Sequence, residues 1–350
     1  TLSNFFQTFD ASGDKGTCRA GAADCERRLP GAEVEAYFEE WQAFLEGDIG
    51  ARRVDQLLGT MGDIQNLLLI ANDIPQRVEG QLTQPIAALK QVQSRLPRPV
   101  QPWVGDLIAD TERRGPDITR RVLNEKLNPM SLECQGIVTN RFPFARGSSR
   151  DVSMPEFTRL FGPNGTINQF FVQELSPHVE IAPDGGFQYK GELANELSRA
   201  TLRQFERAAK IRDVYFAEGS GTPQIRMTVA PVAIHPTVET AVLQINGQVI
   251  TTRQRGNTPV NFAWPGTSGV GSTTLQFTPP LAGRQSQIVY NGPWAFLRWL
   301  NDGSTRVVGA SMQTRHVIGG RHVGYRFDVA AAENPFFMNE LSEFSCPTAF

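Results

Sequence analysis

A chain of 350 residues, 40% hydrophobic and 20% charged, can bury a sizeable core and has room for two or three domains. Its formal net charge is −2, and its basic residues are spread rather than clustered, which excludes a phosphate-neutralising footprint and with it a nucleic-acid partner. The most apolar run, Leu67 to Ala71 between Asp63 and Asp73, is far shorter than the roughly 20 residues of a bilayer span, so no direct membrane span is expected.

Residues 1–150 read as a helical domain. Asp10 to Pro30, rich in Gly and Ala, is a loop. Val34, Tyr37, Phe38, Trp41 and Leu45 then fall on one helical stripe, and Val54, Leu57, Leu58, Met61, Ile64 and Leu68 repeat it. A third helix carries Leu82, Ile86, Leu89 and Leu96 before Pro97-Arg98-Pro99. A fourth starts with Trp103, Leu107 and Ile108, and a fifth is expected to restart after Gly115-Pro116 with Ile118, Val122 and Leu127. Short connections make these antiparallel neighbours in a bundle.

Residues 151–221 read as a helical linker lobe. Ser153 and Glu156 form a capping box, and the helix with Phe157, Leu160 and Phe161 stops at Gly162-Pro163-Asn164-Gly165. Thr166, with Gln169 three residues on, is the expected cap of the next helix. Its Phe170 and Phe171 need a neighbour to bury them. A last long helix carries Leu202, Phe205, Ala208, Ile211 and Tyr215.

After Gly221 the period of apolar residues changes from 3.6 to 2. Residues 222–350 are expected to form an antiparallel β-sandwich with a C-terminal tail, its strands drawn from seven alternating runs: 225–232, 242–252, 260–264, 273–277, 286–290, 306–316 and 322–329. Asn246-Gly247 and Gly319-Gly320 mark two-residue hairpins. A helix from Trp294 to Leu300 interrupts the strands, and another near Pro335 to Leu341 leads into the tail. The fold class is therefore α+β and multidomain, a helical bundle followed by a sandwich of about seven strands.

No catalytic, metal or cofactor constellation emerges. Across a Gly319-Gly320 hairpin, Val317 pairs with His322 and His316 with Val323, which puts the two imidazoles on opposite faces. Gly266 to Ser272 has phosphate-loop glycines but no Lys. Neither GxSxG nor HExxH occurs, and Cys18 and Cys25 lack the spacing and the histidines of a zinc site. The expectation is a binding protein. Arg253, Arg255 and Asn257 on one loop, and Trp264, Thr267 and Ser268 on another, are the candidate partner contacts, because Arg and Trp are enriched at interface hot spots. Trp264 as a core aromatic is the competing assignment.

Several motifs recur in a fixed order: Phe161-Gly162-Pro163-Asn164-Gly165 through Phe171, Arg207 to Phe216, Ile245-Asn246-Gly247-Gln248, Phe262-Ala263-Trp264-Pro265-Gly266, Gly292-Pro293-Trp294-Ala295-Phe296 and Phe344-Ser345-Cys346-Pro347. From about Cys134 onward the chain resembles the C-terminal periplasmic region of the TssM/IcmF family, the inner-membrane scaffold of type VI secretion systems. The resemblance implies a non-enzymatic scaffold in the periplasm of a Gram-negative bacterium, anchored by inner-membrane helices that precede this region. It also implies binding of the outer-membrane lipoprotein TssJ, with TssL and other TssM copies as neighbours. The start at Thr1, with neither initiator Met nor leader, reads as a piece cut from a longer protein.

Cys18 and Cys25 bracket a short loop, while Cys134 and Cys346 lie at the helical-to-β transition and in the tail. The expected disulfides are Cys18–Cys25 and Cys134–Cys346, against buried free thiols, which a periplasmic location disfavours. From another functional class, a carbohydrate-binding or peptidoglycan-processing module would display Trp264 in a cleft, with carboxylates about 5–9.5 Å apart if it were an enzyme.

Overall fold

The computed structural model describes residues 39–40, 42–43, 46, 50–78, 80–98, 100–183, 186–216, 220–266, 271–331 and 333–350. The Asp10 to Pro30 loop, the Cys18–Cys25 pair, most of the expected 34–45 helix, Thr267 and Ser268 lie outside them. The chain divides into two compact units, Thr1–Val122 and Leu123–Phe350.

In the first unit, α1 (Gly50–Ile70) and α2 (Thr83–Gln93) are joined through a 3-10 turn at Pro75–Arg77, and the start of α3 (Gln101–Val138) follows. Their apolar stripes meet in a core of Ile64, Leu68, Val78, Leu89, Leu96, Val104, Ile108 and Ile118. The turn after α1 takes the carbonyls of Leu67, Leu69 and Ile70, and α3 supplies donors to Leu68 and to the two residues that follow the helix. Arg114 donates to Leu68 O at 3.2 Å, and Arg121 donates to Ala71 O and Asn72 O at 3.0 and 2.7 Å.

Where the sequence suggests a break at Gly115-Pro116, α3 runs unbroken. An internal proline costs about 3 kcal/mol. The buried stripe of Val104, Ile108 and Thr111 resumes at Ile118 and continues through Val122, Leu127, Met130, Cys134 and Ile137, which is more than enough burial to offset that.

The second unit opens with the last part of α3, then α4 (Met154–Phe161), α5 (Thr166–Phe170), a π-helical turn at Phe171–Leu175, the hairpin of β1 (Val179–Ile181) and β2 (Phe187–Tyr189), α6 (Leu193–Glu196) and α7 (Arg199–Tyr215). The Ser153/Glu156 capping box forms. Gly165, however, caps α5; Thr166 is its first residue, and its buried hydroxyl has no hydrogen-bond partner. The linker lobe also holds a hairpin that the helical reading of 151–221 did not contain, with Val179 opposite Tyr189.

Two antiparallel sheets follow. One has the order β6-β3-β11-β10-β9, with β3 at Ile225–Ile234, β6 at Val260–Trp264, β9 at Ser304–Val308, β10 at Ser311–Ile318 and β11 at Arg321–Val329. The other has the order β5-β4-β7-β8, with β4 at Thr240–Ile245, β5 at Gln248–Arg253, β7 at Ser272–Thr278 and β8 at Gln287–Asn291. Seven sequence runs become nine strands because two of them contain a turn. Asn246 (φ 50°) and Gly247 (φ 85°) split the first, and Gly309 (φ 60°) splits 306–316.

The inward residues are Met227, Val229, Leu243, Ile245, Leu275, Phe277, Met312, Tyr325 and Phe327, all buried. α8 (Ala295–Asp302) presses Phe296 and Trp299 onto Phe327, and α9 (Asn339–Glu343) leads into the tail. The tail then crosses back over the helices. Cys346 is disulfide-bonded to Cys134 with Cα atoms 5.7 Å apart, Ser345 N donates to Gln204 Oε1 at 2.9 Å, and Phe350 N donates to Asn124 Oδ1 at 2.7 Å. The Phe350 ring stacks on Phe170 and Phe205. That is how the exposed-looking Phe170 of the sequence is buried.

Candidate partner-binding surfaces

The loop after β5 carries three of the expected contact residues. Asn257 closes it by accepting from Arg253 N at 2.8 Å and donating to Arg253 O at 2.6 Å, while Gly256 supplies the positive φ of 78°. Arg253, Arg255 and Asn257 are therefore exposed on a loop of defined shape.

Trp264, expected beside them, is fully buried. It sits between Tyr215, Trp294 and Phe336, with ring centroids 6.0, 5.1 and 5.4 Å away. It ends β6 on the inward side of the pleat, so its ring reaches neither a protein partner nor a sugar. The assignment of Trp264 as a contact residue, and the aromatic cleft of a carbohydrate module built on it, are corrected by this burial.

The histidines separate as the hairpin register demands, His316 opposite Val323 and Val317 opposite His322. His316 is buried and stacks on Trp299 at 4.0 Å, and burial pushes its pKa down to about 4 against the weaker pull of Asp302. His322 faces outward, 5.2 Å from the ring of His235. Its pKa is lowered by partial desolvation first and then by Arg315 and His235. Among the described residues no three His, Cys, Asp or Glu side chains come together as metal ligands.

The strongest polar cluster of the second unit is structural. Arg141 grips Glu156 through two hydrogen bonds of 2.9 and 2.6 Å and Asp151 O through two more. That guanidinium, together with Ser153, holds the Glu156 pKa down at about 2 despite desolvation. Asp151 also pairs with Arg298, whose guanidinium lies 4.0 Å over the Phe142 ring. Trp294 Nε1 donates to Val152 O at 2.7 Å, and Tyr215 Oη donates to Pro335 O at 2.7 Å. These contacts join the helices of this unit to its sheets.

Sequence reasoning missed the outward face of the five-stranded sheet. Arg306, Gln313 and Arg326 form one cross-strand row, with Arg315 two residues along β10 from Gln313. Arg226 shares the face, two residues from Thr228, which pairs with Asp328. All four arginines are exposed. The signal was present: these five strands contain arginines and a single carboxylate, Asp328, but only strand order shows that they are neighbours.

Residues 227–331 match the family described as the type VI secretion protein IcmF C2-like domain. The type VI secretion system component TssM1 of Pseudomonas aeruginosa is 28% identical over 341 residues, covering 93% of this chain and 31% of that protein. The chain thus spans about a third of the length of this curated relative. In fold it is similar to the T6SS protein TssM C-terminal domain from EAEC, with a TM-score of 0.54 and 19% identity over 66% of this chain and 98% of that one. It is also similar to a chain of a type VI secretion system membrane core complex, with a TM-score of 0.63 and 16% identity over 90% of this chain and 70% of that one. Motifs, relative and fold agree in likening this chain to the C-terminal region of the TssM/IcmF family, and residues 227–331 carry that family's C2-like domain.

Proposed function

We propose that this chain is a structural segment of a type VI secretion membrane complex and works by binding rather than by catalysis. The observation that carries this reading is the similarity to TssM1 along 93% of the chain. The fold is consistent with it. Residues 123–350 form one compact unit in which a disulfide, buried Trp–carbonyl and Tyr–carbonyl bonds and a continuous ring core tie strands, helices and tail together, as a scaffold under load requires. The disulfide fits a periplasmic location. Among the described residues no helix is long and apolar enough to cross a membrane, so a hold on the inner membrane would come from elsewhere in the protein.

In this reading the β unit binds the outer-membrane lipoprotein TssJ, with TssL and further TssM copies completing the assembly, and the loop of Arg253, Arg255 and Asn257 is a candidate contact. Titrating the 350-residue chain with the soluble part of its cognate lipoprotein in a calorimeter tests it. A one-to-one complex tighter than about 10 μM is expected. Absence of any heat or co-migration at that concentration would reject the lipoprotein as partner.

A further inference from the structure

Several arginines elsewhere on the described surface sit beside carboxylates: Arg113 and Arg114 by Asp110, Arg159 by Glu133, Arg207 by Glu343, Arg298 by Asp151. On the outward face of the five-stranded sheet, Arg226, Arg306, Arg315 and Arg326 gather around one carboxylate. Arg326 pairs with Asp328 at 3.0 Å, and Asp328 is the only acidic residue on the five strands. Arg226, Arg306 and Arg315 have no carboxylate within ion-pair distance among the described residues, in a chain whose net charge is −2.

The surroundings of these arginines are those of a contact surface. Arg306 and Arg326 face each other across Gln313, two strand spacings or roughly 10 Å apart at the backbone. Between them lies a shallow depression of about 210 Å³ lined also by Val308, Ser311 and Met312. A second depression, of about 450 Å³, opens beside Arg226, with Thr228, Gln248, Asn261 and Asp328 in its lining. Arg306 and Arg326 share the first hollow and Arg226 lies at the second, while Arg315 stands two residues along β10 from Gln313. Val308, Val317 and Val232 are 65%, 62% and 49% exposed on the same sheet.

We propose that this face docks a protein partner that presents carboxylates, with its acidic side chains seated on Arg226, Arg306 and Arg315 and its apolar side chains on the flanking valines. Charge complementarity argues for an acidic partner, and the residue choice argues for a protein rather than a lipid surface. The five strands contain no Lys, and arginine is enriched and lysine depleted at protein interfaces, whereas anionic lipid attracts polybasic segments in which either serves. A rigid sheet also holds the guanidinium groups at fixed separations for bidentate pairing. The proposal deepens the proposed function by naming a surface and its chemistry, and it rests on that reading only for the first probe.

The test measures binding of the soluble lipoprotein domain to the 350-residue chain and to Arg306→Glu, Arg315→Glu and Arg226→Glu variants, with thermal melting to verify the fold. Each reversal is expected to weaken binding at least about tenfold, Arg→Lys to restore part of it, and rising salt to weaken the wild type more than the variants. Loss of binding in Arg253→Glu or Arg255→Glu, with the three sheet variants binding like the wild type, would put the contact on the loop after β5 and overturn the proposal while leaving the proposed function standing. If the wild type fails to bind the lipoprotein, that partner is rejected and the surface is judged with a glutamate-rich peptide and with phosphatidylglycerol vesicles. Peptide binding abolished by Arg306→Glu supports the proposal. Vesicle binding without peptide binding, or binding of neither, overturns it.

Discussion

The two compact units are built from different materials. Among the described residues the core of the first is wholly aliphatic, whereas the second is organised around rings, with Phe157 touching Phe144, Phe161, Tyr215, Phe216 and Trp294. Aliphatic burial is proportional to area and indifferent to direction. Rings have edges, faces and polar handles, so Trp294 and Tyr215 fix which element lies where as well as contributing area. The helices and strands of the second unit should therefore unfold together, in a transition separate from that of the first.

The hardest blow to that picture is removal of the Cys134–Cys346 bond, which closes a loop of 212 residues. Chain entropy sets its contribution at about 5 kcal/mol. The double change Cys134→Ser with Cys346→Ser should lower the second transition in a calorimeter and leave the first in place; equal shifts in both would merge the two units. Next, Trp294→Ala should cost the second unit about 3–5 kcal/mol through the cavity and the orphaned Val152 carbonyl. Trp294→Phe should recover much of the packing but not the hydrogen bond.

Acid provides a gentler probe. His316 has its pKa lowered to about 4 from 6.5, so between those values the unfolded chain takes up a proton that the folded one refuses. Stability is complete above about pH 6.5 and falls by roughly 3 kcal/mol as pH drops to about 4. His316→Gln should flatten that slope in chemical denaturation. Glu156 acts in a lower window. Its depressed pKa contributes stability present above about 4.5 and lost as pH falls towards 2, worth about 2 kcal/mol after allowing for its partial exposure. Glu156→Gln should remove that dependence and leave the first unit's melting unchanged.

The strand lobe was legible because alternation is local. Met312, Thr314, His316 and Ile318 are buried while Gln313, Arg315 and Val317 between them are exposed, as a period of 2 requires. The two hairpin registers followed from Asn246-Gly247 and Gly319-Gly320, since positive φ at both turn positions is cheap only for such pairs. Helix ends were less legible. Pro116 predicts a break that burial along α3 overrides, and Thr166 predicts a cap that Gly165 provides. The contact surface was the least visible. Trp264 has the composition of a hot spot and the position of a core residue, and the arginines of β3, β9, β10 and β11 become neighbours only once the strand order is known. Side-chain type is written in the sequence; adjacency across a sheet is not.

The tail carries one more implication. Phe350 packs between Phe170 and Phe205 and bonds Asn124, and Cys346 bonds Cys134, so partners lie up to 226 positions upstream. As the polypeptide is made from its amino end, the rings near position 170 emerge long before the residue that caps them. Until the final stretch is delivered, this part of the molecule has an open seam, and any holding factor nearby would find that greasy gap waiting for it.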